Sequence, residues 1–504
     1  MSALSTNATV VVIGAGAMGS GIAQVAAQAG HPVLLYDARD GAAKKGREGV
    51  LANLGRLVEK GRLEPDDAAA TAARLTVAAS LMELKGARLV VEAIVEDLAI
   101  KRKLFGEIED LVAEETILAT NTSSLSVTAI AAGLRHPHRV CGLHFFNPAP
   151  VMALVEIVSG LASDAEVLDV LVATARSWGK VPVRATSTPG FIVNRVARPF
   201  YAEGLRLLEE AASDVPTLDA IMREAGGFRM GPFELMDLIG HDVNFAVTRS
   251  VFEANFCDPR FRPSLVQQEL VAAGWLGRKT GRGFYDHAAG AAPPRVRTCS
   301  PAPAPRSVVI EGVLGPAEPL AAALANAGIP VECRPGEGLI RMEGATLALS
   351  DGRTATARVA GGAAADLVLF DVALDYVTAK RVAIAKADQA PDAAIATAAG
   401  LFQSLGKTVS LIGDLPGLVV LRTVAMLANE AAEAAHLGVA TPSDIDRAMK
   451  LGLNYPKGPL AWAQDIGVGR VLETLEALQA AYGDDRYRAS LFLRRRAASG
   501  MALM

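Results

Sequence analysis

The chain is poor in cysteine and aromatic residues and carries no strong excess of charge. Only 4 of its 504 residues are cysteines, and none forms a C-x-x-C pair. This spacing argues against a disulfide framework or a zinc site and favours a reducing compartment. The formal net charge of −4 gives no case for bulk nucleic-acid binding. No apolar run approaches the roughly 18 residues of a membrane span, and Met1–Thr9 lacks the basic segment of a secretory signal. We therefore expect a soluble cytoplasmic protein.

A glycine-rich turn near the start is the strongest local signal in the chain. The apolar run Val10–Ile13 leads into Gly14-x-Gly16-x-x-Gly19, and a helical pattern follows. These glycines allow a tight turn, close approach of backbone N–H groups to phosphates, and close packing of helix on strand. A second strand ends at Asp37, about 20 residues further on, where a carboxylate accepts ribose hydroxyls. Asp37 would repel a 2′-phosphate, so the pattern predicts NAD rather than NADP.

Strands and helices alternate in the first part of the chain. This alternation predicts a mostly parallel sheet with helices on both faces, a Rossmann-type α/β domain. The predicted strands are Thr9–Ile13, Val33–Tyr36, Leu75–Val77, Leu89–Glu92, Ile117–Thr120, Val140–Phe145 and Leu154–Val158. The long segment Gly41–Arg74 is predicted to form two helices rich in basic residues. They form either a solvated face or a patch for a phosphorylated part of the substrate.

The pattern becomes helical after Gly190, and an α/β pattern returns later. Apolar residues recur at helical spacing over Phe191–Ala212, Thr217–Ala225, Gly231–Ala254 and Pro263–Ala273. From Ser307 a second strand–turn–helix begins, but its turn, Gly312–Pro316, breaks the dinucleotide pattern. We predict an NAD-binding domain over residues 1–186, an all-α domain over 187–287, a linker over 288–306, a degenerate Rossmann-like unit over 307–413 and a second all-α domain over 414–504.

An internal repeat supports the second all-α domain. The segment Pro189–Arg195 recurs as Pro416–Arg422, and the Gly-Pro pair at Gly231 recurs at Gly458, with the same offset along the chain in both cases. Asn194 is replaced by Leu421 in the second copy, which indicates that this copy packs rather than catalyses. Its charges at Arg422, Lys457 and Arg494–Arg496 are either solvated or partners for a substrate carboxylate.

Polar clusters follow three predicted strands, at the sheet edge where α/β proteins bind ligands. They are Glu92–Glu96, Asn121–Ser124 and His144–Pro148. A strand-end histidine beside a dinucleotide loop suggests hydride transfer, with imidazole accepting the alcohol proton. Glu156 on the next strand is a candidate to orient His144, while Ser123 and Asn194 are candidates to hold the reacting oxygen. Each of these four residues also has an ordinary structural interpretation when it is considered alone.

Six motifs in this order then carry a family resemblance over roughly Ala8–Asp286. They are Gly14–Gly19, Val91–Glu96, Asn121–Ser124, Gly142–Pro148, Pro189–Arg195 and Lys279–Tyr285. The set resembles the L-3-hydroxyacyl-CoA dehydrogenase family. The resemblance implies His144 as catalytic base with Glu156 as its partner, and Ser123 and Asn194 as oxygen-binding residues.

The resemblance also implies the residues that bind the cofactor and the substrate. The expected NAD contacts are Gly14, Gly16, Ala17, Met18, Gly19, Asp37, Ala93, Glu96, Lys101, Ser123, Asn147 and Lys279. Asn53 and Lys60 are the expected contacts to the CoA portion of the substrate. No metal site is expected.

The duplicated layout resembles long bacterial members of the family. It implies NAD-dependent oxidation of a (3S)-3-hydroxyacyl-CoA, with 3-hydroxyadipyl-CoA of phenylacetate degradation as the expected substrate. An alternative substrate is 3-hydroxybutyryl-CoA, and an alternative of another class is a non-catalytic NAD-binding structural subunit. We expect a homodimer without a nucleic-acid or membrane partner.

Overall fold

The computed structural model describes residues 2–504, which divide into two compact units. The first unit runs up to Arg195 and also contains Leu437–Leu453. The second unit comprises Val196–His436 and Asn454–Met504. Within residues 2–504, no helix combines the length and the apolar character that crossing a bilayer requires.

The first unit is built on an eight-stranded sheet in the order β3-β2-β1-β4-β5-β6-β7-β8. Neighbouring strands are parallel except for β6 and β7, which pair antiparallel. The strands are β1 (Thr9–Ile13), β2 (Val33–Tyr36), β3 (Leu75–Val77), β4 (Ala87–Glu92), β5 (Ile117–Thr120), β6 (Val140–Phe145), β7 (Leu154–Ser159) and β8 (Val181–Thr186). The predicted Rossmann-type sheet is confirmed, and β8 is a strand that the sequence reading missed.

Helices cover this sheet, because the central strands are apolar on both faces and fully buried. The helices of the first unit are α1 (Ala17–Gln28), α2 (Ala42–Glu59), α3 (Pro65–Arg74), α4 (Leu98–Glu109), α5 (Val127–Ala131), α6 (Ala165–Ser177), α7 (Val193–Val196), which ends at the unit boundary, and α17 (Pro442–Leu453). The two predicted helices of Gly41–Arg74 are α2 and α3.

The second unit contains a seven-stranded sheet in the order β10-β9-β11-β12-β13-β14-β15. Its strands are β9 (Val308–Glu311), β10 (Val331–Arg334), β11 (Leu339–Met342), β12 (Ala345–Leu349), β13 (Leu367–Phe370), β14 (Arg381–Lys386) and β15 (Thr408–Leu411). The turn after β9 leads into a short 3₁₀ helix, Gly315–Ala317, rather than directly into an α-helix as in the first unit. The prediction of a degenerate α/β unit is therefore confirmed.

The remaining helices belong to the second unit. They are α8 (Arg198–Glu209), α9 (Val215–Glu224), α10 (Pro232–Ile239), α11 (His241–Ala254), α12 (Leu265–Ala272), α13 (Pro319–Asn326), α14 (Ala355–Ala360), α15 (Ala393–Ser404), α16 (Val420–His436), α18 (Pro459–Ile466), α19 (Val468–Tyr482) and α20 (Leu491–Ser499). The helical spacing of apolar residues over Gly231–Ala254 corresponds to two helices. The chain breaks at Gly240, whose φ of 98° is not helical, and α10 and α11 are separate.

The internal repeat extends beyond the helices into the sheets. Strands β13, β14 and β15 follow β6, β7 and β8 at the same offset that relates Pro416 to Pro189. The pairing is also repeated, because β13 and β14 are antiparallel and β14 and β15 are parallel. The duplicated part therefore includes the last three strands of the first sheet.

The two helical copies pack on each other within the second unit. Helix α8 of the first copy contacts α16 of the second. Arg422 on α16 is fully buried, and its guanidinium lies 2.7 Å from Glu203 and 2.8 Å from Glu210. The interpretation of Arg422 as a solvated charge or a substrate ligand is therefore wrong. The guanidinium forms ion pairs with Glu203 and Glu210, and these ion pairs join the two copies.

One helix of each copy also packs on the sheet strands of the other copy. Helix α17 packs on β7 and β8 of the first unit, where Thr186 N–H donates to the Val439 carbonyl at 2.9 Å. The equivalent helix of the first copy, α9, packs on β14 of the second unit. There the Leu374 N–H donates to the Ala225 carbonyl, also at 2.9 Å. The second half of the chain thus supplies part of the first compact unit.

Candidate active site

The glycine turn after β1 has the geometry of a phosphate-binding loop. Gly14 has a φ of 102°, and a Cβ there would lie 2.5 Å from the Ala93 carbonyl oxygen. A Cβ on Gly19 would lie 1.7 Å from the Gly14 carbonyl oxygen, so both positions require glycine. No side chain caps the N-terminus of α1, and Gly16 faces open space. The backbone amides and the positive dipole end at the N-terminus of α1 are therefore available to an anion such as a pyrophosphate.

Asp37 lies at the end of β2, beside a groove of about 690 Å³ that Ala93 also lines. Its Oδ2 accepts a hydrogen bond from Ala15 N–H at 2.8 Å. Arg39 places Nε 3.1 Å from Oδ1 and a terminal nitrogen 3.0 Å from Oδ2. The hydrogen bonds from the Arg39 side chain lower the pKa of Asp37 to about 2. The carboxylate is thus ionised at neutral pH and can accept hydrogen bonds from ribose hydroxyls.

Lys101 and Glu92 form a buried ion pair next to this groove, and the more exposed Glu96 joins it from the surface. The Lys101 ammonium is 1% exposed and lies 2.6 Å from Glu92 and 3.3 Å from Glu96. Glu92 also accepts a hydrogen bond from the Thr120 hydroxyl at 2.7 Å. Lys101 therefore holds Glu96 in place from the protein interior.

Glu96 in turn organises the Asn121–Ser124 loop. Its Oε1 accepts hydrogen bonds from the Thr122 hydroxyl at 2.6 Å and from Ser123 N–H at 3.0 Å. Burial would raise the pKa of Glu96, but the bond from Thr122, the charge of Lys101 and the loop donors outweigh it and lower the pKa. A fixed carboxylate thus sets the position of Ser123.

His144 and Glu156 form a buried pair at directly opposed positions of β6 and β7. The His144 Nδ1 atom lies 2.6 Å from Glu156 Oε2, and the two residues are 5% and 0% exposed. The carboxylate keeps a proton on Nδ1, so Nε2 is the nitrogen that can accept a proton. Phe146 and Phe191 pack against the imidazole ring, with ring centroids 4.6 and 5.8 Å away.

The other oxygen of Glu156 anchors the segment that carries Asn194. Glu156 Oε1 accepts from Ile192 N–H at 3.1 Å and from Val193 N–H at 3.0 Å. The Asn194 side-chain amide donates to the Ser123 carbonyl at 3.4 Å. The structure therefore brings together the four candidates His144, Glu156, Ser123 and Asn194, with Glu156 at the centre.

Two further expected cofactor residues, Asn147 and Lys279, belong to different compact units. Asn147 follows β6 and is exposed. Lys279 belongs to the second compact unit, where its ammonium pairs with Asp242.

The sequence placed Asn121 in the Asn121–Ser124 cluster but assigned it no role of its own. Its Oδ1 accepts a hydrogen bond from Phe145 N–H at 2.8 Å and ties the Ser123 loop to the end of β6.

A second groove, of about 900 Å³, runs along α1 and α2. Asn53, Lys45 and Arg39 line it, together with Gly16 and Ser20. Asn53 donates to the Gln24 side chain at 2.9 Å. Lys60 is exposed at the end of α2 and is not among the residues that line the groove. Lys45, which does line it, belongs to the basic segment Gly41–Arg74 that the sequence offered as a patch for a phosphorylated part of the substrate, whereas Arg39 was not expected there.

Comparison with family models assigns almost every part of this architecture. The NAD binding domain of 3-hydroxyacyl-CoA dehydrogenase matches residues 9–188. The C-terminal domain of the same enzyme matches twice, over residues 190–287 and 417–502. The chain belongs to the 3-hydroxyacyl-CoA dehydrogenase family. It is an oxidoreductase that uses NAD, as predicted. A reduced Rossmann-fold domain of 3-hydroxybutyryl-CoA dehydrogenase matches residues 347–416, in the degenerate unit.

Some known proteins resemble nearly the whole chain, and others resemble only about half of it. A 3-hydroxyadipyl-CoA dehydrogenase from Escherichia coli K12 is 46% identical over 97% of both chains. A crystal structure of a 3-hydroxybutyryl-CoA dehydrogenase from Escherichia coli K12 covers 98% of this chain and 99% of its own, with a TM-score of 0.90 and 45% identity. A probable 3-hydroxybutyryl-CoA dehydrogenase from Bacillus subtilis is 40% identical, over 55% of this chain and 96% of its own.

The second half of the chain lacks a counterpart of the His144–Glu156 pair. The repeat aligns His144 with Asp371 and Glu156 with Ala383. These two residues oppose each other as the original pair does, since Asp371 N–H donates to the Ala383 carbonyl at 3.0 Å. The Asp371 carboxylate accepts from Val419, Val420 and Leu421 N–H groups at 2.7 to 3.1 Å. It keeps the anchoring role of Glu156 without a histidine to orient.

Proposed function

We propose that the chain oxidises (3S)-3-hydroxyadipyl-CoA to 3-oxoadipyl-CoA, with His144 as the general base. The observation that carries the assignment of the base is the buried 2.6 Å contact between His144 Nδ1 and Glu156 Oε2. It leaves Nε2 to take the proton of the substrate hydroxyl. The carboxylate of Glu156 stabilises the imidazolium that results.

Ser123 and Asn194 are proposed to hold the substrate oxygen as its bond to carbon gains double-bond character. Their side chains carry a hydroxyl and an amide, and both segments are held by carboxylates, Glu96 for one and Glu156 for the other. Donors fixed in advance stabilise developing charge at little cost of reorganisation. The remaining expected cofactor residues would hold NAD, which would supply the acceptor for the hydride from C3.

The groove along α1 and α2 is proposed to hold the phosphorylated part of CoA. Two cationic side chains, Arg39 and Lys45, line it. Phosphates are recognised by such groups. Asn53 is proposed to contribute a polar contact, as expected. Lys60 does not line the groove, so it is proposed to contact the CoA portion only at the edge of the groove.

The choice of substrate rests on the 46% identity to the 3-hydroxyadipyl-CoA dehydrogenase over nearly the whole chain. The alternative, 3-hydroxybutyryl-CoA, is favoured by the name of the similar full-length crystal structure. Initial rates of NADH oxidation with 3-oxoadipyl-CoA and with acetoacetyl-CoA distinguish the two. We expect a higher kcat/KM for the dicarboxylic substrate, and equal or inverted values would reject it.

A homodimer and a cytoplasmic location are also proposed. Exposed apolar side chains in the second unit, such as Phe256 at 96% and Leu265 at 74% exposure, are candidates for a contact between chains. The scattered free cysteines fit a reducing compartment. Light scattering at micromolar concentration should give twice the monomer mass, and the mass of one chain would reject the homodimer.

A further inference from the structure

Helix α17 comes from the second half of the chain, yet it packs against β7 and β8 in the first compact unit. Gly452 lies near the end of this helix and is buried. A Cβ at this position would lie 2.9 Å from Leu154 Cδ2 and 3.1 Å from Val193 Cγ2. A side chain at position 452 would therefore require the Leu154 and Val193 side chains to shift.

Local conformation does not explain this glycine. Gly452 lies within the helical span Pro442–Leu453 and has no positive φ. A glycine inside a helix destabilises it relative to alanine. The close approach to Leu154 and Val193 explains why a glycine occupies this helical position.

The two residues that Gly452 meets flank the proposed proton-transfer pair. Leu154 begins β7, two residues before Glu156. Val193 donates its N–H to Glu156 Oε1 at 3.0 Å, and Asn194 follows it directly. A displacement of Leu154 and Val193 would therefore move Glu156 and Asn194 together.

We propose that Gly452 is a positioning residue for the active site. By letting α17 seat against Leu154 and Val193, it holds the Glu156 carboxylate and the Asn194 amide in their productive places. The second half of the chain thus completes the catalytic unit, although its own copy of the site lacks the histidine, the glutamate and the asparagine. This inference rests on the proposed roles of Glu156 and Asn194.

The test compares Gly452→Ala and Gly452→Val with Gly469→Ala in the full-length protein. Gly469 is also within a helix, α19, but a Cβ there would meet nothing within 4 Å. The control should keep wild-type kcat and gain slightly in Tm. Gly452→Val should lower kcat about 10- to 100-fold, since small misplacements of reacting groups have effects of this size. Gly452→Ala should lie between Gly452→Val and the wild type.

Two measurements separate positioning from loss of folding. The concentration of NADH-binding sites, titrated by fluorescence, normalises kcat to folded protein, and the Kd for NADH should stay at the wild-type value. Val193→Ala removes both methyl groups that face Gly452. Combined with Gly452→Ala, it should recover most of the lost kcat relative to Val193→Ala alone.

A wild-type kcat per NADH site in Gly452→Val would overturn the proposal. So would a loss of NADH affinity that matches the loss of kcat, or a double variant in which the two effects simply add. Failure of the proposed function looks different, because Glu156→Gln would then keep near-normal turnover, or the wild-type protein would not prefer 3-oxoadipyl-CoA over acetoacetyl-CoA.

Discussion

His144 and Glu156 face each other on two antiparallel strands, with His144 Nδ1 2.6 Å from Glu156 Oε2. The register between β6 and β7 sets this contact, so the geometry of the proposed proton-transfer pair is part of the sheet itself. A shift of one residue would turn one of the two side chains to the opposite face. The pair therefore depends on strand pairing and not on a mobile loop.

The first prediction concerns this pair. His144→Ala should lower kcat by about 10²–10⁴, because the reaction loses its general base. Glu156→Gln should also lower kcat, since the neutral amide cannot stabilise an imidazolium. NADH titration should give a nearly unchanged Kd for both variants. Near-normal turnover in His144→Ala would contradict the assignment.

The second prediction concerns the choice between NAD and NADP. Asp37→Ser should remove the charge that repels a 2′-phosphate and release Arg39, whose guanidinium now pairs with Asp37 at 3.0 Å. The ratio of kcat/KM for NADP to that for NAD should rise about 10- to 100-fold, the size of one hydrogen bond to a charged group. The matched variant Asp37→Ser/Arg39→Ala should show most of this rise abolished. A wild-type preference for NADP would contradict the role of Asp37.

The third prediction is one NADH site per chain. In the second half, Asp371, Ala383 and Leu421 stand at the positions of His144, Glu156 and Asn194. Its first strand leads to a 3₁₀ turn at Gly315–Ala317 instead of a phosphate-binding helix. Titration calorimetry of the full chain with NADH should give a stoichiometry of one. Two sites of similar affinity would show that the second sheet still binds cofactor.

The fourth prediction concerns the ion pairs that join the helical copies. Arg422→Ala should lower the free energy of unfolding by about 3–5 kcal/mol, because it leaves Glu203 buried without its cation. Arg249→Ala is the matched control, since its partner Glu253 is 59% exposed, and it should cost about 0–1 kcal/mol. Urea unfolding measures both changes. Equal effects of the two variants would show that the buried pair does not stabilise the interface.

Much of the site could be predicted because its signals are local. The glycine turn, Asp37 and the strand ends carrying Ser123 and His144 are read from a few neighbouring residues. The pairing of His144 with Glu156 needed only the expectation that consecutive strands lie side by side. By contrast, β8 was missed because Pro182 and Arg184 interrupt its short apolar pattern. Helical spacing of apolar residues also does not show that α10 ends and α11 begins at Gly240.

Arg39 and Arg422 show why charged residues are hard to place from sequence. Both are arginines in helical or loop segments, yet one is 75% exposed beside Asp37 and the other is fully buried. Their neighbours decide this difference, and Glu203 lies 219 positions before Arg422. No local pattern reports such a partner.

The sequence by itself determined the cofactor loop, the alternation that builds the first sheet, the proposed proton-transfer residues and the duplication. These features depend on side-chain periodicity and on residues close together in the chain. Only the tertiary structure decided that the two halves exchange helices, so that Gly452 of the second half lies against Leu154 and Val193 of the first. That arrangement depends on which apolar faces fit together at contact distance, and packing complementarity of this kind is a property of the folded surfaces rather than of any segment alone.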